Sequence, residues 1–427
     1  MDQYKIVSLA NGVEGGFIRS DKFKSSILSI DFYLPNSEQT ADYVLAGEIM
    51  SNVCAEYPTM ASFKRRLSEL YGAALNTSAE KAGDMIRLGF SIDFINDDYA
   101  LNGDKIGADA AKLLISVLFE PSLTDDGKFK TADIERDKRV MIDVINGEFN
   151  EKRNFARKRT LEIMCENEPF GLPKFGTVER MSSLTADDVT TAWQSMLKDS
   201  FVRVNYVGNE YPSEIFDLIS KRFQAIDRTV IKQDLTQKHI SSGEVKSVCE
   251  YETLNQSKLF LGFRADFGND MLSRTKMLLT LLIFSGGTFS KCFRYVREQL
   301  SLCYYCAPSF YRSKNIIMVD CGVDIGASEK AKNAILDQLR LMKNGEITND
   351  EFEAAVLMRK NDLKAVFDSV VMISSWLKSN TFNDEKYNSI EEHYKILEQI
   401  TIDDIVNAAK TIELDTVYLL EGKKEAE

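Results

Sequence analysis

Two rhythms of apolar and polar residues alternate along this chain. Met85–Phe94 (MIRLGFSIDF) and Ile316–Ile325 (IIMVDCGVDI) alternate with a period near two, which predicts strands with one buried face. Ala110–Phe119 (AAKLLISVLF) and Lys332–Met342 (KNAILDQLRLM) repeat apolar residues at three- and four-residue steps, which predicts helices. Met277–Phe284 (MLLTLLIF) is apolar throughout, but it is far shorter than the roughly 20 residues that span a bilayer. It predicts a buried helical turn or two.

These elements are written twice, in the same order. Phe63–Thr77 (FKRRLSELYGAALNT) runs as an amphipathic helix into a strand, and Phe289–Ser309 (FSKCFRYVREQLSLCYYCAPS) does the same. Thr131 and Thr348 each open a long helix with acids in its first turn, where the helix dipole favours them. Leu184-Thr-Ala-Asp-Asp-Val189 mirrors Ile400-Thr-Ile-Asp-Asp-Ile405, and each leads to a closing strand, Val202–Val207 and Val417–Leu420. The repeat predicts a first domain over 1–225, a polar linker over 226–246 and a second domain over 247–427. Strands and helices do not alternate as βαβ units. Each half should therefore be α+β, a largely antiparallel sheet packed with helices.

Composition narrows the function. The 427 residues are 44% hydrophobic, enough for two cores, and the formal net charge of -12 argues against a nucleic-acid footprint. Short basic runs such as Lys64-Arg65-Arg66 read as solvated helix faces. No basic segment followed by an apolar core opens the chain, so no signal peptide and no membrane association is expected. Seven cysteines at irregular spacing fit reduced thiols in a cytoplasm better than a disulfide framework. Cys303-Tyr-Tyr-Cys306 has redox-motif spacing but lies in an extended apolar tract, which reads as two packed cysteines.

One stretch carries a family signature. Phe284-Ser-Gly-Gly-Thr-Phe-Ser-Lys-Cys-Phe293, followed by Val296-Arg-Glu-Gln-Leu-Ser-Leu-Cys-Tyr304, resembles the second-half signature of the M16 (insulinase or pitrilysin-like) peptidases. Phe170-Gly-Leu-Pro-Lys-Phe-Gly-Thr177 is similar to the family's Pro-containing loop. The resemblance covers nearly the whole chain and, among bacterial members, is to the YmfF type, whose genes sit beside a sister peptidase. It implies one half of a clam-shell built from two homologous domains, enclosing a peptide. In active members it also implies zinc held by H-x-x-E-H on one helix and by a downstream glutamate.

That chemistry needs two histidines on adjacent helical turns. The chain has only His239 and His393, in separate parts of the sequence, so no H-x-x-E-H exists in it. The corresponding helix is Tyr43–Val53, with Ala46, Ile49 and Met50 expected to point inward, and Val144 falls at the place of the third ligand. Glu48, Asp143 and Glu148 read as surface charges, since carboxylates alone favour Mg or Ca over zinc. No metal or cofactor is expected in this chain, and no catalysis by this chain alone.

The resemblance implies that something is retained. Active members place an arginine, and a tyrosine seven residues further on, beside the scissile bond; Arg297 and Tyr304 have that spacing, with Arg294 the competing arginine. A guanidinium at a helix end can donate to a peptide carbonyl, and a phenol can donate to an oxyanion. The bland reading of the pair is a helix-end charge beside Glu298 and a half-buried aromatic. Gly286 and Gly287 should form a tight turn that lets a peptide backbone approach, with Thr288 as a cap. Substrate would add as a strand along an exposed sheet edge. The expectation is therefore the non-catalytic subunit of a heterodimeric M16-type peptidase. A sister subunit carrying H-x-x-E-H would supply zinc, and a peptide would be bound between them. The alternative is a peptidase-derived structural or peptide-binding scaffold, homodimeric in one form.

Overall fold

The period-two tracts pair into two sheets of matching order. The computed structural model describes residues 4–231, 243–380 and 389–423. His239 and the middle of the expected linker fall outside these residues. In the first sheet β1 (Lys5–Ala10), β2 (Val13–Arg19), β3 (Ser25–Pro35), β4 (Ala74–Ala82), β5 (Met85–Ile95) and β6 (Phe201–Gly208) lie in the order β1-β2-β6-β3-β5-β4. In the second, β7 (Lys246–Thr253), β8 (Ser257–Ala265), β9 (Cys303–Tyr311), β10 (Ile316–Val323) and β11 (Ile412–Lys423) lie in the order β7-β11-β8-β10-β9. Each sheet has one parallel pair, β2 with β6 and β7 with β11, and is antiparallel elsewhere. The second sheet is thus the first without β1, which is the α+β repeat that the sequence predicts.

The first half contributes helices α1 (Thr40–Asn52), α2 (Met60–Glu69), α3 (Ile106–Phe119), α4 (Thr131–Gly147), α5 (Lys152–Met164), α6 (Val178–Ser183), α7 (Ala186–Asp199) and α8 (Ser213–Gln224). The second contributes α9 (Met271–Leu281), α10 (Ser328–Lys343), α11 (Asn349–Ala365), α12 (Val370–Asn380), α13 (Ile390–Leu397) and α14 (Ile402–Lys410). The mirrored Thr-x-x-Asp starts close as capping boxes: Thr185 with Asp188 opens α7, and Thr401 with Asp404 opens α14. In each, the hydroxyl accepts from the third-residue amide and the carboxylate accepts from the threonine amide, which satisfies two otherwise orphaned donors. The helix-to-strand turns repeat as well. Tyr71 and Ser301, at the matching points, are both left-handed, with φ of 58° and 50°.

The described residues fall into two compact units that do not simply follow sequence order. The first gathers residues 4–147, 172–231 and 366–380; the second gathers 148–171, 243–365 and 389–423. Each unit takes one helix from the other half of the sequence. In the first, α12 covers β3 and β6 through fully buried Ile373 and Leu377; in the second, α5 covers β8 and β11. Each such apolar side chain contributes about 1.5–3 kcal/mol. With helices on both faces, β10 is buried along its whole length and β3 along nearly all of it.

The exchanged helices also neutralise buried acids. Asp31 on β3 is fully buried, with Lys378 of α12 at 3.1 Å and Arg87 at 3.9 Å. Asp320 on β10, equally buried, meets Arg153 and Arg157 of α5. A carboxylate at either place without its cation would carry a large desolvation penalty. Among the described residues, no helix is long and apolar enough to cross a membrane.

Candidate functional site

The first unit holds a cavity of about 340 Å³ between α1, α4 and the edge strand β4. Its walls include Val44, Gly47 and Glu48 from α1, Met141 and Val144 from α4, and Thr77 to Glu80 from β4, with Lys174 and Phe175 also lining it. The start of α1 is fixed by Thr40, whose hydroxyl donates to Asn36 at 2.9 Å and accepts from the Ser37 amide at 3.1 Å. Asp42 in the first turn is gripped by Arg180.

Positions 44, 47 and 48 are related as i, i+3 and i+4, which is the spacing of the two ligands and the base in H-x-x-E-H. Ala46, Ile49 and Met50, expected to point inward, instead face the hydrophobic core and are at most 1% exposed. The inward face of α1 was thus misassigned by the sequence. Val144, from the expected third-ligand segment, reaches the same cavity.

These residues do not fit a zinc ion. Two valines and a glycine offer no donor, leaving the Glu48 carboxyl as the one ionisable group among the four positions. Burial pushes the Glu48 pKa up and the Asp137 charge adds to this, while Asn52 and Arg136 pull the other way. Zinc needs deprotonated ligands in number. A Cβ on Gly47 would sit 3.3 Å from the Leu88 methyls and 3.4 Å from Phe90, so a side chain at this position would need those neighbours to give by a few tenths of an ångström. Asp143 is exposed on α4, and Glu148 pairs with Lys158 at 2.6 Å. Among the described residues, no group of three or more His, Cys, Asp or Glu is placed to hold a metal ion.

In the second unit, the Gly-Gly signature lies between two widened helical turns. The chain leaves α9 through a π-helical turn over Leu282–Gly286 and enters a second π-helical segment over Cys292–Gln299. The Ser290 amide donates to the Gly287 carbonyl at 3.0 Å, closing a turn. Neither glycine needs a left-handed conformation; Gly287 is extended, with φ of -163°. What they provide is close approach, since a Cβ would meet Leu282 at 2.6 Å from Gly286 and Phe289 at 2.8 Å from Gly287. Ser290, not Thr288, is the cap here: its hydroxyl accepts from the Phe293 amide at 3.3 Å.

Arg297 lies near the end of the second π-helical segment, a rare geometry that is frequent at functional sites. Its guanidinium stacks on the Phe293 ring at 4.4 Å, and the Glu298 carboxylate lies 3.9 Å away. Arg294 is exposed on the same segment. Tyr304 stands on β9, the edge strand of its sheet. The β9–β10 register pairs Val323 with Cys303 and Gly322 with Tyr305, so Tyr304 is the extra residue of a β-bulge. Bulges re-aim side chains, and this one leaves Tyr304 62% exposed. Its hydroxyl donates to Asp324 at 2.9 Å, and that carboxylate raises the phenol pKa. The matching strand β4 pairs with β5 without interruption. Arg297 and Tyr304 therefore occupy consecutive elements that pack together, both reachable from solvent. Asp324 and the bulge were not foreseen from the sequence. His393 is a packing residue of α13, 6% exposed.

Comparison with known proteins agrees with this geometry. Residues 183–358 match the family model described as the peptidase M16 inactive domain. Over 425 residues, 99% of each chain, this chain is 24% identical to the "Probable inactive metalloprotease YmfF" of Bacillus subtilis (strain 168). A conserved protein from Enterococcus faecalis V583 shares the fold over 100% of both chains, with 24% identity and a TM-score of 0.89. The peptidase M16 inactive domain from Pseudomonas fluorescens shares it over 99% of this chain and 98% of its own, with 17% identity and a TM-score of 0.80. The chain is thus similar, over residues 183–358 to the M16 inactive-domain model and over nearly its whole length to an M16-like inactive relative, and its own sequence contains no H-x-x-E-H.

Proposed function

We propose that this chain is the non-catalytic subunit of a heterodimeric M16-type zinc peptidase in the cytoplasm. The zinc and the general base come from a sister subunit that carries H-x-x-E-H. This chain supplies half of the peptide chamber and brings Arg297 and Tyr304 to the partner's site. The observation that supports this reading is the asymmetry between the two units. The cavity of the first has lost every ligand but one carboxyl, whereas the edge strand of the second keeps a tyrosine displayed by a bulge, beside an accessible arginine.

In this role a peptide adds as an extended strand beside the turn at Gly286 and Gly287. The Arg297 guanidinium donates to a substrate carbonyl. The Tyr304 hydroxyl turns from Asp324 to donate to the oxygen on which negative charge develops, a contact of the kind worth about 10²–10³-fold in rate. Zinc on the partner polarises the scissile carbonyl when bound.

The experiment is co-expression with an H-x-x-E-H chain of the same family, followed by native mass measurement and a peptide-cleavage assay. A stable one-to-one pair that cleaves, where neither chain alone does, supports the proposal. A homodimer that ignores such a chain refutes it and favours the scaffold reading.

A further inference from the structure

Cysteines three residues apart lie on opposite faces of a regular strand. The bulge at Tyr304 adds one residue between Cys303 and Cys306 and changes that phase. Both thiols consequently join Cys292 and Cys321 in one buried cluster. The Cys321 thiol donates to the Cys306 sulfur at 3.0 Å, and Cys292 and Cys303 lie close enough to influence the same sulfur. Exposure is 0% for Cys292 and Cys321, 7% for Cys303 and 9% for Cys306, and all four are free thiols.

Within the cluster one pair is special. Cys306 on β9 and Cys321 on β10 are direct register partners, and their sulfurs are 3.0 Å apart. Residues directly opposite in an antiparallel pair have Cα atoms about 4.5–5.5 Å apart, within the span a disulfide bridges without moving the backbone. We propose that Cys306 and Cys321 form a reversible disulfide by exchange with a small-molecule disulfide such as oxidised glutathione. The bond would tie the edge strand to its neighbour two residues from Tyr304.

The exchange balances as follows in atoms and electrons. The Cys306 thiolate attacks one sulfur of oxidised glutathione, forming a mixed disulfide and releasing one glutathione thiolate. That thiolate takes the Cys321 proton; the Cys321 sulfur then attacks Cys306, and the second glutathione leaves as a thiolate that is protonated by water. Two protein thiols are oxidised and one glutathione disulfide is reduced. The surroundings assign the roles. Hydrogen bonds from Cys292, Cys303, Cys321 and Ser285 hold the Cys306 thiol well below its ordinary pKa, and burial pushes Cys321 well above. Ser285 lies 3.4 Å from the Cys306 sulfur. Access comes through fraying of β9, an edge strand that contains a proline as well as the bulge.

The test uses the full chain carrying Cys249→Ser, which removes the exposed thiol of Cys249. The protein is equilibrated in glutathione buffers of rising oxidised fraction, quenched in acid, unfolded in guanidinium and tagged with a maleimide; non-reducing peptide mapping then locates any cross-link. The expected result is loss of two taggable thiols in one step, a Cys306–Cys321 cross-link, and full reversal by dithiothreitol. Because the mapping reads the oxidised parent directly, no cluster variant has to fold. Thiols that all stay taggable at the most oxidising ratio would overturn the proposal, as would a cross-link at another pair. Protection of the four thiols by added zinc without any cross-link would overturn it in favour of a metal cluster.

Discussion

Grafting ligands onto the first-unit cavity tests whether it is the remnant of a zinc site. The perturbation is Val44→His, Glu48→His and Val144→Glu together. Side chains at i and i+4 of a helix have Cβ atoms about 5–6 Å apart, which suits two imidazoles on one ion with Zn–N bonds of about 2.0–2.1 Å. Val44 and Glu48 have that relation and face the cavity, and Val144 stands across from them on α4. A dissociation constant of about 1 µM corresponds to about -8.2 kcal/mol. A hundredfold excess of zinc then stabilises the variant by about 2.7 kcal/mol. At about 2–4 °C per kcal/mol for a unit of this size, the melting temperature should rise by about 5–11 °C on adding zinc. Calorimetry with and without zinc measures the shift, and elemental analysis after dialysis should find one zinc per chain. Ala46→His with Met50→His is the control: both residues are fully buried in the core, so this pair should destabilise the fold and bind no zinc. A folded triple variant that takes up no more zinc than the parent would refute the assignment of the cavity.

Two further outcomes follow from the buried charges. Lys378→Met removes the nearest cation from fully buried Asp31 and leaves Arg87 at 3.9 Å, so stability should fall by about 3 kcal/mol in urea titration; a loss under about 1 kcal/mol would contradict the pairing. Burial first, and then the Arg359 and Arg312 charges, lower the pKa of His393 from 6.5 to about 4, with Glu392 opposing. Between these values the unfolded chain binds a proton that the folded chain refuses, so stability drops as pH falls from about 6.5 to 4, by about 3 kcal/mol in all. Urea titrations at pH 7 and pH 4.5 should show a weaker pH dependence in His393→Gln than in the parent, and equal slopes would contradict the burial of a neutral imidazole.

The repeat was legible because its signals are local. Period-two tracts, Thr-x-x-Asp caps and the Gly-Gly signature each depend on neighbouring residues, and all recur in order. The orientation of α1 was not legible, because the helix is apolar nearly all round. With Ala41, Val44, Leu45, Ala46, Ile49 and Met50 all buried, no periodic stripe tells the core face from the cavity face. The exchange of α5 and α12 was equally hidden, since an amphipathic helix does not state which sheet it covers. Arg297 and Tyr304 could be located by spacing within a family signature. The bulge that displays Tyr304 could not, because Leu-Cys-Tyr-Tyr-Cys reads as an uninterrupted strand. The same bulge gathers Cys303 and Cys306 into a cluster that period-two reasoning separates.

The central claim is that this chain completes an active site whose metal belongs to another. The most direct measurement is kcat/KM for peptide cleavage by the reconstituted pair, with Tyr304→Phe in this chain and the partner unchanged. Tyr304 is exposed on an edge strand, so the substitution should leave the fold and pairing intact. The expected result is a fall of about 10²–10³-fold, carried mainly by kcat because the contact forms as charge develops. An unchanged kcat/KM in an intact pair would contradict it.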